Sequence, residues 1–450
     1  MIIVNHNHHK NQRSIQKIIM KQNKISVITL GCSKNTVDSE RLMSQLKLNN
    51  FELVDDSNEA DSVIINTCGF IDAAKEESVN TILSAVELKK KGKLSKVVVA
   101  GCLSERYMND LKKEIPEVDS FFGTEAYEGI VRDFGGNLKF ELLGERFVTT
   151  PKHFAYLKIS EGCDNPCSFC AIPLMRGLHK TKPMEKLIAE TELLAAKGVK
   201  ELILIGQDTT DYGTDLYGKR NIYELLNNLS KVYGIEWIRL LYSYPSHFPD
   251  ELIYEISNNP KICKYIDVPL QHISDSVLKS MRRGITKRRT IELLETLRKK
   301  IPDVTLRTTF IVGYPNETEK EFEELCNFIR DIRFDRFGVF NYSIEEDTKS
   351  FELGDKIPHE VKEERKATLM EIQKEISEEK NKSFLNKKMK VIVDSYEGEH
   401  FIARSERDAP EVDGEILISA KKDALQIGEF YNVDIYNYNE YDLFGNISKK

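Results

Sequence analysis

The sequence predicts an α/β protein in three folded parts: an open parallel α/β domain, a central partial (β/α) barrel, and a small antiparallel β-barrel. Three observations carry this reading. Short β-branched apolar runs alternate with amphipathic helical stretches from about Lys24 to Arg146. The same alternation resumes after Pro151 and continues to about Ile344. The chain then ends in closely spaced strand-like runs with turn signals between them. At 450 residues it also exceeds what one hydrophobic core serves.

Residues 1–23 are polar and carry His6, His8 and His9, which read as a metal tract or, preferably, as a disordered tail with Met20 as an alternative initiator. In the first domain (24–146) strands are expected at Ile25–Leu30, Ser62–Asn66 and Val97–Ala100, with helices at Ser39–Leu48 and Ala73–Lys91. Each strand ends on a glycine–cysteine pair: Gly31-Cys32, Cys68-Gly69 and Gly101-Cys102. Ligands bind beyond the carboxyl ends of strands in open α/β sheets, and glycine lets the backbone approach a bulky group. Cys32, Cys68 and Cys102 are thus placed to converge on one site. Three independent buried thiols are the alternative, which leaves the repeated strand-end placement unexplained.

The second domain (151–357) has expected strands at Phe154–Ser160, Glu201–Gly206, Trp237–Tyr242, Tyr265–Pro269, Thr305–Val312 and Arg336–Tyr342. Helices are expected at Met184–Lys197, Ile222–Tyr233, Asp250–Asn258, Asp275–Met281, Lys287–Lys300 and Glu319–Ile332. The loop after the first strand holds Cys163, Cys167 and Cys170 in a C-x3-C-x2-C run, at the strand-carboxyl end where barrel chemistry belongs. Three thiolates this close can grip three irons of a cubane cluster and leave the fourth open. Electron-transfer clusters use four cysteines, so an open iron suits a cluster that binds a substrate. The alternatives are buried, inert thiols or a structural zinc knot, but a zinc knot would close with a fourth Cys or His at short pair spacing, and only the isolated His179 is nearby.

Other strand ends are polar. Gly206-Gln207-Asp208-Thr209-Thr210 and Gly313-Tyr314-Pro315-Asn316-Glu317 offer Gln207 and Gly313 as cofactor contacts, although ordinary βα loops use the same residue types. Phe169 is a candidate to pack on an adenine ring or to fill core. Arg282-Arg283-Gly284 with Lys287-Arg288-Arg289 reads as a solvated helix face or a contact for an acidic partner or phosphate. Cys263 and Cys326 read as structural.

Residues 358–383 read as a highly charged connector helix. The last domain (384–450) has expected strands at Met389–Ser395, His400–Ser405, Glu415–Ile418, Phe430–Tyr436 and Leu443–Ile447, suggesting a small closed barrel of the oligonucleotide-binding kind. Barrels that grip RNA are basic, whereas this domain has nine Lys/Arg against thirteen Asp/Glu. A basic protein suits it better than direct RNA binding. Over the whole chain the net charge is −7, which excludes a general nucleic-acid binder. No apolar run reaches membrane-spanning length and no signal-peptide pattern opens the chain. Eight cysteines are too few for a disulfide scaffold. A cytoplasmic cofactor enzyme is expected.

From about Lys24 onward the chain resembles the methylthiotransferases, a family of radical S-adenosylmethionine enzymes with an N-terminal cluster domain, a radical barrel and a C-terminal TRAM domain. Its motifs resemble the branch that modifies a ribosomal protein: Leu30-Gly31-Cys32-Ser33-Lys34-Asn35-Thr36-Val37-Asp38-Ser39-Glu40, Met175-Arg176-Gly177, Gln207-Asp208-Thr209, and Arg407-Asp408-Ala409-Pro410-Glu411-Val412-Asp413-Gly414. The transfer-RNA branch usually has Gln-Asn-Val where this chain has Gln207-Asp208-Thr209. Thr308–Gly313 matches the superfamily's adenine-binding strand only in outline.

The resemblance implies two iron–sulfur clusters of the 4Fe-4S type. One on Cys163, Cys167 and Cys170 would bind and reductively cleave S-adenosylmethionine, yielding a radical able to take hydrogen from an unactivated carbon. The other, on Cys32, Cys68 and Cys102, would deliver sulfur, with a second S-adenosylmethionine giving the methyl. The implied substrate is the β-carbon of an aspartate in small-subunit ribosomal protein twelve, and the implied electron donor a flavodoxin or ferredoxin. Two alternatives stay open at this point: a methylthiotransferase acting on an adenosine of transfer RNA, and a non-catalytic iron–sulfur or zinc scaffold.

Overall fold

The computed structural model describes residues 23–139, 142, 144–421 and 424–448. His6, His8, His9 and Met20 lie outside them. The first domain comprises β1 (Lys24–Thr29), α1 (Ser33–Leu48), β2 (Glu52–Leu53), β3 (Ser62–Thr67), α2 (Asp72–Lys90), β4 (Lys96–Gly101), α3 (Cys102–Glu114), β5 (Ser120–Phe121) and α4 (Tyr127–Asp133). Its sheet is parallel throughout, ordered β2-β1-β3-β4-β5. β3 is buried at every residue, as a central strand covered on both faces must be. Its alternate residues feed two cores, Val63 and Ile65 toward α2 and α3, Ile64 toward α1 and α4. α1 begins six residues before the expected Ser39, directly after Cys32, and buries Asn35, Asp38, Ser39 and Glu40.

The second domain runs β6 (Phe154–Lys158), β7 (Ser160–Glu161), α5 (Ile172–Arg176), β8 (Lys180–Thr181), α6 (Met184–Ala196), β9 (Glu201–Ile205), α7 (Ile222–Ser230), β10 (Trp237–Leu240), α8 (Asp250–Asn258), β11 (Ile262–Asp267), α9 (Asp275–Ser280), α10 (Lys287–Lys300), β12 (Thr305–Val312), α11 (Glu319–Ile332) and β13 (Arg336–Asn341). Six parallel strands, β6-β9-β10-β11-β12-β13, form the open barrel. β11 starts before the expected Tyr265, so Cys263 is a buried strand residue. The short antiparallel pair β7–β8 brackets the cysteine loop.

α12 (His359–Lys382) is more than a connector. Leu369, Ile372 and Ile376, spaced to share one helix face, lie in the main barrel core, and Gln373 donates to the carbonyls of Phe334 and Asp335. Most of the charges that suggested a connector occupy its other faces, while Lys362 and Arg365 extend the buried face and pair with Asp355 and Glu317.

The last domain, β14 (Lys388–Glu397), β15 (His400–Ser405), β16 (Ile416–Ser419), β17 (Phe430–Tyr438) and β18 (Leu443–Ile447), is a closed five-stranded barrel. Its pairings are antiparallel except β16–β18, which are parallel. Ala409 and Ile392 pack on the inner face of the central barrel, among Tyr156, Ile203, Ile205 and Tyr265. Several acids counted above are spent in this docking. Asp408 pairs with Arg336, Asp413 with Arg307, Glu411 accepts from Tyr156, and Asp394 meets His153. The charge argument for a basic protein partner is narrowed to that extent, since these four of the thirteen acids are engaged within the molecule. Among the described residues no helix is long and apolar enough to cross a membrane.

Candidate active site

The barrel triplet lies in the loop between β7 and α5. Gly162 opens it at φ +74°, where a Cβ would stand 2.1 Å from the Leu178 carbonyl oxygen, so only glycine fits. Ser168 ties the loop to α9 through the carbonyls of Ser280 and Met281. Around the sulfurs, Asn165 Nδ2 donates to Cys163 Sγ at 3.4 Å and Arg283 donates to Cys167 Sγ at 3.2 Å, with the Tyr244 hydroxyl 3.8 Å from Cys167 Sγ. Burial pushes the Cys163 thiol up to about 11 and that of Cys170 up to about 12. Thiolates here therefore need added positive charge, which metal binding supplies.

Arg283 overturns the solvated-face reading of its cluster. It is buried, donates also to the Pro269 carbonyl and lies 4.3 Å from the Tyr244 ring. Lys287 and Arg288 do form surface pairs, with Glu324 and Glu292. His179 is engaged by Thr181 at 3.1 Å and lies 3.7 Å from Asp215.

The remaining expected contacts differ in setting. Gln207 Nε2 donates to Glu161 at 2.7 Å while its buried Oε1 has no hydrogen-bond partner among the described residues. Phe169 is half-buried and packs against Val277, Met281, Tyr314 and Tyr342, which accounts for it as core filling. Gly313 has φ +76°, and a Cβ there would lie 2.4 Å from Lys362 Cγ of α12. Its loop is held by Glu317, which accepts from the Gly313 amide and pairs with Arg365.

In the first domain, Cys32 precedes α1, Cys68 follows β3 and Cys102 opens α3. The strand-end cysteines do converge. A Cβ on Gly31 would stand 2.8 Å from Cys68 Sγ, and one on Gly69 3.2 Å from the Cys102 carbonyl carbon. Burial pushes Cys102 up to about 11, opposed by Arg176 and reinforced by the Cys32 and Cys68 thiols. Ser78 fixes the Cys68 peptide, accepting from its amide and donating to its carbonyl. Asn35 spends both amide hydrogens on the carbonyls of Leu30 and Thr67, joining the ends of β1 and β3.

The two triplets adjoin. Ala171, Met175 and Ile172, at and just after the barrel's cysteine loop, pack on Cys102. Arg176 donates from Nε to Cys102 Sγ at 3.2 Å, from Nη1 to Asp38 at 2.8 Å and Glu161 at 3.0 Å, and from Nη2 to Asn35. Lys158 pairs with Asp38, Glu161 and Glu125. Against burial, Lys158 and Arg176 hold Asp38 well below the carboxylate range. The carboxylates of Asp38, Glu125 and Glu161 converge as a metal trio would, but Lys158 already pairs with all three and Arg176 with Asp38 and Glu161.

Both triplets fit iron–sulfur clusters by chemistry present in the chain. Arg283 is a buried cation with no carboxylate within ion-pair distance among the described residues, and an anionic cluster on three thiolates would supply its close counter-charge. At the other triplet, a Cβ on Gly31 would crowd the sulfur of Cys68. Sequence reasoning missed Arg283, Lys158, Glu161, Asn35 and Asp38 as site residues. For the last two a signal existed: polar residues at helix positions three apart, beside a cysteine, in a stretch whose helix was expected to start later.

Comparisons with known proteins agree with the three-domain architecture. Residues 24–123 match the uncharacterized protein family UPF0004, residues 157–329 the radical SAM superfamily, and residues 387–447 the TRAM domain. The chain is 54% identical over 426 residues to the ribosomal protein uS12 methylthiotransferase RimO of Christiangramia forsetii, covering 95% of this chain and 94% of that one. It is 52% identical over 431 residues to that of Cytophaga hutchinsonii, covering 95% and 99%. Among solved structures, the radical S-adenosylmethionine methyltransferase TsrM from Kitasatospora setae shares the fold at a TM-score of 0.51 and 13% identity, covering 71% of this chain and 73% of that one. The cobalamin-dependent S-adenosylmethionine radical enzyme OxsB gives a TM-score of 0.51 at 13% identity, covering 78% and 56%. These likenesses concern the fold alone. With its three domains in order and half its residues identical to theirs over nearly full length, the chain belongs to the RimO family of methylthiotransferases, within the radical SAM superfamily.

Proposed function

We propose that this protein adds a methylthio group to the β-carbon of an aspartate in ribosomal protein uS12, using S-adenosylmethionine and two 4Fe-4S clusters. The observation that carries the two-cluster reading is the contact of Ala171, Ile172 and Met175 with Cys102, which adjoins the two cysteine sites. Relatives about half identical, all named for uS12, favour that substrate over the transfer-RNA alternative.

Cys163, Cys167 and Cys170 would hold the barrel cluster, and Cys32, Cys68 and Cys102 the second. When bound, these groups supply one-electron reduction, a carbon radical and sulfur for insertion. The chain's own work is binding, orientation and exclusion of water. Arg283 balances charge at Cys167, and Gln207 offers its unpartnered Oε1 beside Glu161 to the cofactor. The turn at Gly313 would line the same pocket, with Phe169 packed in the core behind it. A flavodoxin or ferredoxin would supply electrons, and the ribosomal substrate would place the enzyme in the cytoplasm. Internal use of the acids of the last domain weakens the charge argument against RNA contact, which rests now on the substrate assignment.

Peptide mass spectrometry of uS12 from a deletion strain tests the reading. The methylthio mass should vanish on deletion and return with the intact gene but not with Cys163→Ala. Its persistence in the deletion strain would refute the substrate.

A further inference from the structure

Arg176 is the side chain that joins the two cysteine sites. It ends α5, the short helix leaving the barrel's cysteine loop, and its guanidinium lies buried against the first domain. A carboxylate pair alone would satisfy an ordinary ion-pairing arginine, and Asp38 and Glu161 provide one. They leave Nε free to donate to a sulfur, Cys102 Sγ, at 3.2 Å. The planar fork fixes all of these donors relative to one another, so the position of Cys102 is set by the barrel as well as by its own domain. Hydrogen bonds run without a break from Gln207 to Glu161 at 2.7 Å, from Arg176 to Glu161 at 3.0 Å, and from Arg176 to Cys102 at 3.2 Å. The path starts at the end of β9, where the cofactor is proposed to lie, and ends on a cysteine of the other site.

We infer that Arg176 is a positioning residue with two effects. It holds Cys102, and with it the cluster of the first domain, in register with the barrel loop. Its charge and N–H donor also make that cluster easier to reduce, because hydrogen bonds to sulfur and local charge set cluster potentials. The inference rests on the proposal that Cys32, Cys68 and Cys102 hold a cluster.

The test separates the two claims. A variant with Cys163, Cys167 and Cys170 all changed to Ala retains only the first-domain site. Iron and sulfide analysis after anaerobic reconstitution should find about four irons per chain. No iron in this parent overturns the cluster reading, and the inference with it. In the same background, Arg176→Met should keep its iron while the reduction potential, followed by electron paramagnetic resonance, moves negative. Arg176→Lys, which keeps the charge but not the fork, should recover part of the shift. A merely structural arginine would leave the potential of an intact cluster unmoved.

In the enzyme with both sites, Arg176→Met should still form 5′-deoxyadenosine while methylthiolated product falls by about 10- to 100-fold. Intact iron with an unchanged potential and unchanged product overturns the inference alone. Should Arg176→Met fail to fold because Asp38 and Glu161 are left to share Lys158 alone, Arg176→Met with Asp38→Asn removes the excess buried charge. The potential is then read on the double variant, with the same two outcomes.

Discussion

A buried guanidinium normally faces a carboxylate, whereas Arg283 faces the Cys167 sulfur, the Tyr244 ring and the Pro269 carbonyl. In the metal-free protein that charge costs stability, so Arg283→Met should stabilise the apo form by about 1–3 kcal/mol in denaturant unfolding. The same change should weaken iron retention at the barrel site about 10- to 100-fold on titration with a chelator. A destabilised apo variant with normal iron retention would contradict the counter-charge argument. His272, on the loop after β11, gives a pH prediction. Burial, aided by Arg365 and opposed by Glu321, pushes its pKa down to about 3. The unfolded chain therefore binds a proton that the folded chain refuses. This contribution is fully present above pH 6.5 and is lost as pH falls from 6.5 toward 3, about 3–5 kcal/mol in all. His272→Gln should flatten that part of the stability–pH curve; an unchanged curve would mean that His272 titrates normally in the fold. The cysteines were legible in the sequence because their signals are local, a tight spacing in one case and a repeated neighbour glycine in the other. Arg283 was not, because nothing within its own segment distinguishes it from its exposed neighbours Arg282 and Arg288.

At the scale of elements, the long barrel strands and helices were legible where hydrophobic periodicity is strong, and four second-domain elements, among them β12 and α11, match their expected bounds. The losses have physical causes. β2 and β5 hold two residues each and carry no period of their own. α1 starts early with Cys32 as its N-cap and no side-chain cap bond, so its first turns lack the usual start signal. In α12 the charges on the solvent faces hid a narrow apolar stripe. That stripe makes a clear prediction: Leu369 is fully buried, so Leu369→Ala should cost about 2–5 kcal/mol by denaturant unfolding. A cost under about 1 kcal/mol, the range of an exposed site, would return the helix to the status of a linker.

Docking of the three domains depends on charges that lie far apart in sequence and meet only in the folded molecule. Lys158 of β6 pairs with Asp38 of α1, and Lys34 of α1 sits 3.1 Å from the Tyr242 ring centroid. At the other end, Glu201 of β9 receives Arg239 at 2.9 Å and Arg404 of β15 at 2.8 Å, all three fully or almost fully buried. Burial alone would push Glu201 up, yet Arg404 and Arg239 hold it below the usual carboxylate range. The sequence ordered these domains correctly but gave no sign of this pairing, since each partner reads as an ordinary surface charge. Removing one member of such a set costs more than the set contributes, because the others stay buried without compensation. Glu201→Gln takes from Arg239 its carboxylate partner while Arg404 keeps Asp394 at 2.6 Å, and should cost about 3–5 kcal/mol. Arg404→Met should cost less, since Glu201 keeps Arg239 and Asp394 keeps His153. Raised salt should change neither cost much, as buried pairs are little screened. Because the last domain neutralises charges inside the barrel, calorimetry of the full chain should show the two melting together. A separate transition for residues 384–450, unmoved by Glu201→Gln, would show instead that the small barrel is only tethered to the larger one.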